Sequence, residues 1–125
     1  MNEFKVRQRQ KENITIVELQ GYLDAHTAPI LEQSFEDLLK EHRYNILVNC
    51  KNLEYISSAG LGVFMAFLDE VRKNNGDIKF SNMSVKIFNI FDLLGFPVLY
   101  EIYKDEQEAI VNFLDSRDSD KKKKA

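Results

Sequence analysis

The sequence is poor in the residues that most chemistries need. Cys50 is its only cysteine, so no internal disulfide can form, and no Cys/His cluster has zinc-binding spacing. Set within an apolar run, Cys50 reads as a small buried hydrophobe. The two histidines, His26 and His42, have no evident pairing with a serine nucleophile, and there is no Gly-x-Ser-x-Gly elbow. A Gly-Lys-Ser/Thr phosphate loop is missing, and Gly60-Leu-Gly62 is too short for a dinucleotide fingerprint. These absences predict a chain that is not an enzyme and holds neither metal nor cofactor.

Strong charge of one sign is also lacking. The net charge is −3 and the sequence pI is near 5.4, which gives no basis for direct nucleic-acid binding. No apolar run approaches the ~20 residues of a membrane-spanning helix. The first ten residues are polar and charged, unlike a secretory signal. The expectation is a soluble cytoplasmic protein without a membrane span. At 125 residues, with 44% hydrophobic and 30% charged residues, one core is expected.

The pattern along the chain is two strands followed by alternating helices and strands. Phe4–Gln10 and Ile14–Leu19 read as strands around a turn at Lys11–Asn13, and Gly21–Thr27 reads as a loop. Thr27 is the expected N-cap of a helix with Pro29 in its first turn and an apolar stripe of Leu31, Phe35, Leu38 and Leu39. His42 and Arg43 are expected in its last turn. A short strand at Ile46–Val48, extended by Asn45, Asn49 and Cys50, leads into a loop over Lys51–Ser57. A helix from about Ala59 to Lys73 then stops at Asn75-Gly76. Ile78–Phe80 is a strand, Ser84 caps a helix ended by Gly95, and Val98–Ile102 is a last strand. Asp105 and Glu108 resemble a capping box before a helix over Gln107–Leu114. This order predicts an α/β domain with a mixed, mostly parallel sheet of four to five strands and about four helices. The domain is expected to span 1–115, and the charged stretch 116–125 is expected to be a flexible tail, its lysines 121–124 solvated.

The run from Asn49 to Gly62 holds the chemistry. A buried strand feeds two serines placed where a helix begins. Ser57 or Ser58 could cap that helix, and the same point suits a phosphate, because free N–H groups and the positive end of the dipole converge there. A phosphoserine adds about −1.5 to −2 charges, enough to repel an acidic partner or obstruct a close interface. Phe64, Phe67, Leu68 and Val71 gather on the core side of the helix. Ser58, Gly62, Met65, Ala66 and Asp69 form a separate stripe, where small residues around an adaptable methionine suit close approach by another protein. The plainer reading is that a serine caps the helix and Met65 touches a neighbouring helix.

Residues 4–114 resemble the STAS domain, named for sulfate transporters and anti-sigma factor antagonists. Gly21-Tyr-Leu-Asp-Ala25 resembles its early Gly-x-Leu-Asp loop. Tyr55-Ile-Ser-Ser-Ala-Gly-Leu-Gly62 resembles its specific loop, commonly Asp-Ser-Ser-Gly-Leu-Gly. Ile102 to Ala109 resembles its closing segment. The resemblance implies that Ser58 is phosphorylated by an anti-sigma factor with serine kinase activity and dephosphorylated by a serine phosphatase. It further implies that the unmodified form binds the anti-sigma factor and so frees a sigma factor. Ser57 stands where many members have aspartate, which removes a negative charge beside Ser58, and Ala59 stands where many have serine or threonine. Asp24 matches the acidic position of the early loop and should lie near Ser58. The expected partner-binding residues are therefore Asp24, Ser57, Ala59, Gly60, Gly62, Met65, Ala66 and Asp69, in a chain that is monomeric when free. The alternative is a scaffold or accessory subunit of a sensory or transporter complex, without phosphorylation of Ser58.

Overall fold

The computed structural model describes residues 3–114; the expected tail at 116–125 lies outside the described residues. Five strands form one sheet in the order β1 (Lys5–Lys11), β2 (Ile14–Leu23), β3 (Asn45–Ile56), β4 (Asp77–Ser81) and β5 (Ile102–Tyr103). β1 is antiparallel to β2 across a two-residue turn, and the remaining neighbours are parallel. Parallel neighbours need crossovers, here supplied by α1 (Ala28–Lys40), α2 (Ser58–Lys73) and α3 (Val85–Leu93). A last helix, α4, covers 106–114.

Strand alternation divides the core in two. Val17, Leu19, Ile46, Val48, Ile78 and Phe80 pack under α1, α2 and α3, whereas Ile14, Ile16 and Leu47 pack under Ala109, Ile110 and Phe113 of α4. The larger core is tied by aromatic contacts. Phe64 lies 5.8 Å from Phe35 and 4.9 Å edge-on from Phe80, which in turn lies 5.0 Å from Phe91. Phe64, Leu68 and Val71 are buried as expected, and Phe67 is half-buried edge-on to Phe35.

Several boundaries differ from the sequence reading. β3 runs on through the segment expected as a loop, because two register shifts against β2 each insert one extra residue. These bulges keep Cys50, Leu53 and Ile56 buried at three-residue spacing, which conceals the two-residue period of a strand. β2 likewise continues to Leu23. In place of a strand from Val98, a 3₁₀ turn at Phe96–Val98 precedes β5. His42 and Arg43 lie past the end of α1: His42 takes φ 58°, and Arg43 donates its N–H to the Leu38 carbonyl at 2.9 Å. Asn75 plays the same left-handed part after α2, with φ 65°. Gly76 is needed for close approach, since a Cβ there would stand 2.0 Å from the Tyr44 carbonyl oxygen. Ser84 caps α3 through the Ile87 N–H, and Asp105 accepts from the Glu108 N–H at 2.9 Å, as expected.

Candidate functional site

The rim formed by the C-terminal ends of β2 and β3 carries the residues singled out by the sequence. Ser57 leaves β3 in an extended conformation, and its Oγ accepts the Gly60 N–H at 3.3 Å. Its N–H donates to the Leu23 carbonyl at 2.9 Å, and its carbonyl accepts from Leu61 at 3.0 Å. Ser57 is therefore the cap, and Ser58 is the first helical residue. The Ser58 side chain is exposed and has no hydrogen-bond partner among the described residues. The first turn of α2 contains no acidic residue, so nothing there offsets the positive end of the helix dipole.

The two glycines of this helix differ in kind. At Gly60 a Cβ would meet Leu23 Cγ at 2.7 Å and the Leu23 carbonyl oxygen at 3.0 Å, so this glycine lets α2 sit against the end of β2. At Gly62 a Cβ would meet nothing within 4 Å, and the position is exposed. Helix interiors disfavour glycine by about 1 kcal/mol relative to alanine; no contact within the chain requires Gly62. Ala59, Ala66 and Asp69 are also exposed, and Met65 is 45% exposed. The stripe from Ser58 to Asp69 is thus an open helix face, with Asp69 paired to Lys73 at 3.0 Å.

Asp24 organises the adjacent loop. Its Oδ1 accepts the N–H groups of His26 and Thr27 at 3.0 and 3.1 Å, and its carbonyl accepts from Ala28 at 2.8 Å. Its link to the serines is indirect, through neighbouring Leu23. Thr27 occupies the N-cap position of α1, but its side chain does not cap the helix. Pro29 removes one of the N–H groups that a cap would bind. The Thr27 hydroxyl instead donates to the Tyr22 carbonyl at 2.8 Å and accepts from the Asp24 N–H at 2.9 Å.

The remaining candidates for chemistry lie apart. Cys50 is buried, and burial pushes its thiol pKa up to about 12, which suppresses the thiolate. His42 Nδ1 lies 3.2 Å from the Tyr44 hydroxyl, and His26 is exposed. No group of three or more His, Cys, Asp or Glu residues among the described residues could hold a metal ion. No helix among them is long and apolar enough to cross a membrane. Sequence reasoning missed Leu23, which fixes Ser57 by its carbonyl and Gly60 by its side chain. It also missed the ring contact of Tyr22 with Tyr55, whose centroids are 5.9 Å apart. Tyr22 alternates with the buried Gly21 and Leu23, which was the available signal, whereas the bulge before Tyr55 conceals its alternation.

Comparison with known proteins gives these positions a context. The model of the STAS domain matches residues 5–109. The anti-sigma-B factor antagonist of Bacillus subtilis (strain 168) is 31% identical over 94 residues, which are 75% of this chain and 85% of that protein. The crystal structure of an anti-sigma factor antagonist from Mycobacterium paratuberculosis superposes with a TM-score of 0.81 at 18% identity, covering 89% of this chain and 94% of that one. The Bacillus cell fate determinant SpoIIAA in its phosphorylated form superposes with a TM-score of 0.67 at 20% identity, covering 88% and 98% of the two chains. At these identities the solved structures establish a shared fold. Together with the family match and the Bacillus relative, they place the chain: it belongs to the STAS domain family.

Proposed function

We propose that this chain is an anti-sigma factor antagonist whose unphosphorylated form binds an anti-sigma factor with serine kinase activity, thereby releasing a sigma factor. Phosphorylation of Ser58 ends that binding, and a serine phosphatase restores it. The observation that carries this reading is the division of labour between the two serines. Ser57 caps the helix, leaving the Ser58 hydroxyl exposed and free on the face that also presents Gly62 and Met65. In the kinase step, Ser58 Oγ bonds to the γ-phosphorus of ATP, the bond to the ADP oxygen breaks, and the hydroxyl proton passes to a base of the kinase. The product carries about −1.5 to −2 charges beside a helix N-terminus that favours them. The added charge and bulk then obstruct whatever docks along the Ser58–Asp69 face. Ser57, Ala59, Gly62, Met65, Ala66 and Asp69 belong to the docking region on this reading, with Asp24 supporting it through the β2–α1 loop; Gly60, expected with them from the sequence, is buried against Leu23 and seats α2 on β2 instead. The chain acts in the cytoplasm, where sigma factors work, and is a monomer when free.

Incubation with the cognate anti-sigma factor and ATP, followed by mass spectrometry, tests the proposal. Phosphate on Ser58 is the expected result. Phosphate elsewhere, or none, overturns it and favours a scaffold or accessory subunit. Ser58→Asp should weaken partner binding and Ser58→Ala should bind constitutively; equal affinities for the two variants would count against an electrostatic block.

A further inference from the structure

The small residues that allow close approach along α2 supply little apolar area for holding a partner. Of the stripe, only Met65 is large and apolar. A durable complex needs anchors, and tyrosine is among the residues most often found as one. Two exposed tyrosines stand at the same rim. Tyr22 is 46% and Tyr55 38% exposed, they are register partners on β2 and β3, and their rings lie 5.9 Å apart at 35°. Their neighbours Leu23 and Ile56 are buried under α1 and α2, so by alternation the rings stand on the opposite face of the sheet. There α4 packs on Ile14, Ile16 and Leu47 near the starts of β2 and β3, away from the tyrosines. The Thr27 hydroxyl bond to the Tyr22 carbonyl and the Ser57 N–H bond to Leu23 hold this corner in place.

We infer that Tyr22 and Tyr55 form an aromatic anchor for the anti-sigma factor that takes Ser58, so that this partner reaches around the rim of the sheet. The inference rests on the Ser58 reading above. Tyr55 precedes Ser58 by three residues, which limits their Cα separation to about 11 Å; a protein closing on Ser58 is within reach of the ring. Ile30, Val85 and Phe88 are exposed in the first turns of α1 and α3, but each belongs to a helix rather than to the sheet face that carries the two rings. Leu93 and Val98 are 85% and 89% exposed, but they lie just before Leu99, whose carbonyl accepts from Arg72 at the far end of α2. Sixteen residues of α2 place that end roughly 20 Å from Ser58. The choice of the anti-sigma factor over the phosphatase follows from the proposed function, in which the unmodified chain holds that partner, as the Bacillus relative is named for antagonising one.

The test is a binding titration of the purified anti-sigma factor with the full chain carrying Tyr22→Ala, Tyr55→Ala or both, alongside Ser58→Asp. Circular dichroism checks folding, and the threonine variants Tyr22→Thr and Tyr55→Thr retain strand propensity while removing the rings. Each single change should weaken binding about tenfold, while phosphatase turnover of the phosphorylated variants stays unchanged. Full affinity of the double variant, with Ser58→Asp still defective, overturns the anchor and leaves the switch standing. Slowed dephosphorylation with unchanged binding overturns the choice of partner. Loss of binding on Leu93→Ser rather than on the tyrosine changes moves the anchor to α3. Full binding by Ser58→Asp removes the switch reading itself.

Discussion

Gly62→Ala separates what the helix needs from what its partner needs. The site is the fifth residue of α2, and an added Cβ meets nothing within 4 Å. The substitution therefore carries no packing penalty inside the chain, and alanine gains about 1 kcal/mol over glycine in a helix interior. For a domain of this size that raises Tm by about 4 °C. At a close interface the same methyl behaves as an overpacking change, costing about 1–3 kcal/mol, a loss of roughly five- to 150-fold in affinity. Gly60→Ala is the contrast: its Cβ would press on Leu23 at 2.7 Å, so stability should fall by about 1–3 kcal/mol. Thermal unfolding by circular dichroism and calorimetric titration with the anti-sigma factor read the two effects separately. A stabilised Gly62→Ala variant with undiminished affinity would refute the assignment of this face to the partner. A destabilised one would refute the open surface described around Gly62.

Other consequences can be measured on the chain alone. Ser57→Ala should lower unfolding free energy by about 1 kcal/mol through loss of the cap, whereas Ser58→Ala, exposed and unbonded, should leave chemical denaturation nearly unchanged. Gly76→Ala should be severely destabilising, since its Cβ would lie 2.0 Å from the Tyr44 carbonyl oxygen; little soluble protein on expression is the expected result. Acid should erode stability through Glu101 and Glu106. Burial opposes the charge of each, but Lys79 and Tyr103 hold the Glu101 carboxyl, and Arg9 and Asn49 the Glu106 carboxyl, below the usual range. A carboxylate with a depressed folded pKa stabilises above its unfolded pKa, here near 4.5, and loses that contribution as pH falls through the folded value. Urea midpoints measured from pH 6 downward should therefore decline, and Glu101→Gln should flatten the decline.

The sequence conveyed element order and helix faces better than it conveyed β3. Leu31, Phe35 and Leu38 of α1 and Phe64, Leu68 and Val71 of α2 repeat at helical spacing, and all are buried. β3 reads from sequence as a shorter strand because its bulges replace strict alternation with Cys50, Leu53 and Ile56, a spacing that fits neither strand nor helix. The site was legible as a segment but not as a division of roles. Ser57 and Ser58 are both acceptable caps on sequence grounds; only the Gly60 N–H contact shows which serine caps. Thr27 illustrates the reverse case. Its residue type fits a cap, yet Pro29 withdraws a donor and the nearby Asp24 N–H and Tyr22 carbonyl engage its hydroxyl.

The cap assignment also explains how Ser57 can stand where many STAS members have aspartate. Serine and aspartate are both strong N-caps, so the exchange preserves the helix start and changes only its charge. With no acid in the first turn, that turn itself leaves the positive end of the α2 dipole unopposed in the unmodified chain. A phosphate on Ser58 would therefore supply the whole negative charge at that point, about −1.5 to −2, rather than adding to a charge already present. Like-charge repulsion from a neighbouring carboxylate would be absent, while the free N–H groups and the dipole would favour the phosphate. On the proposed function, the two states of the switch then differ at the start of α2 by a phosphate charge that no acid of that turn anticipates.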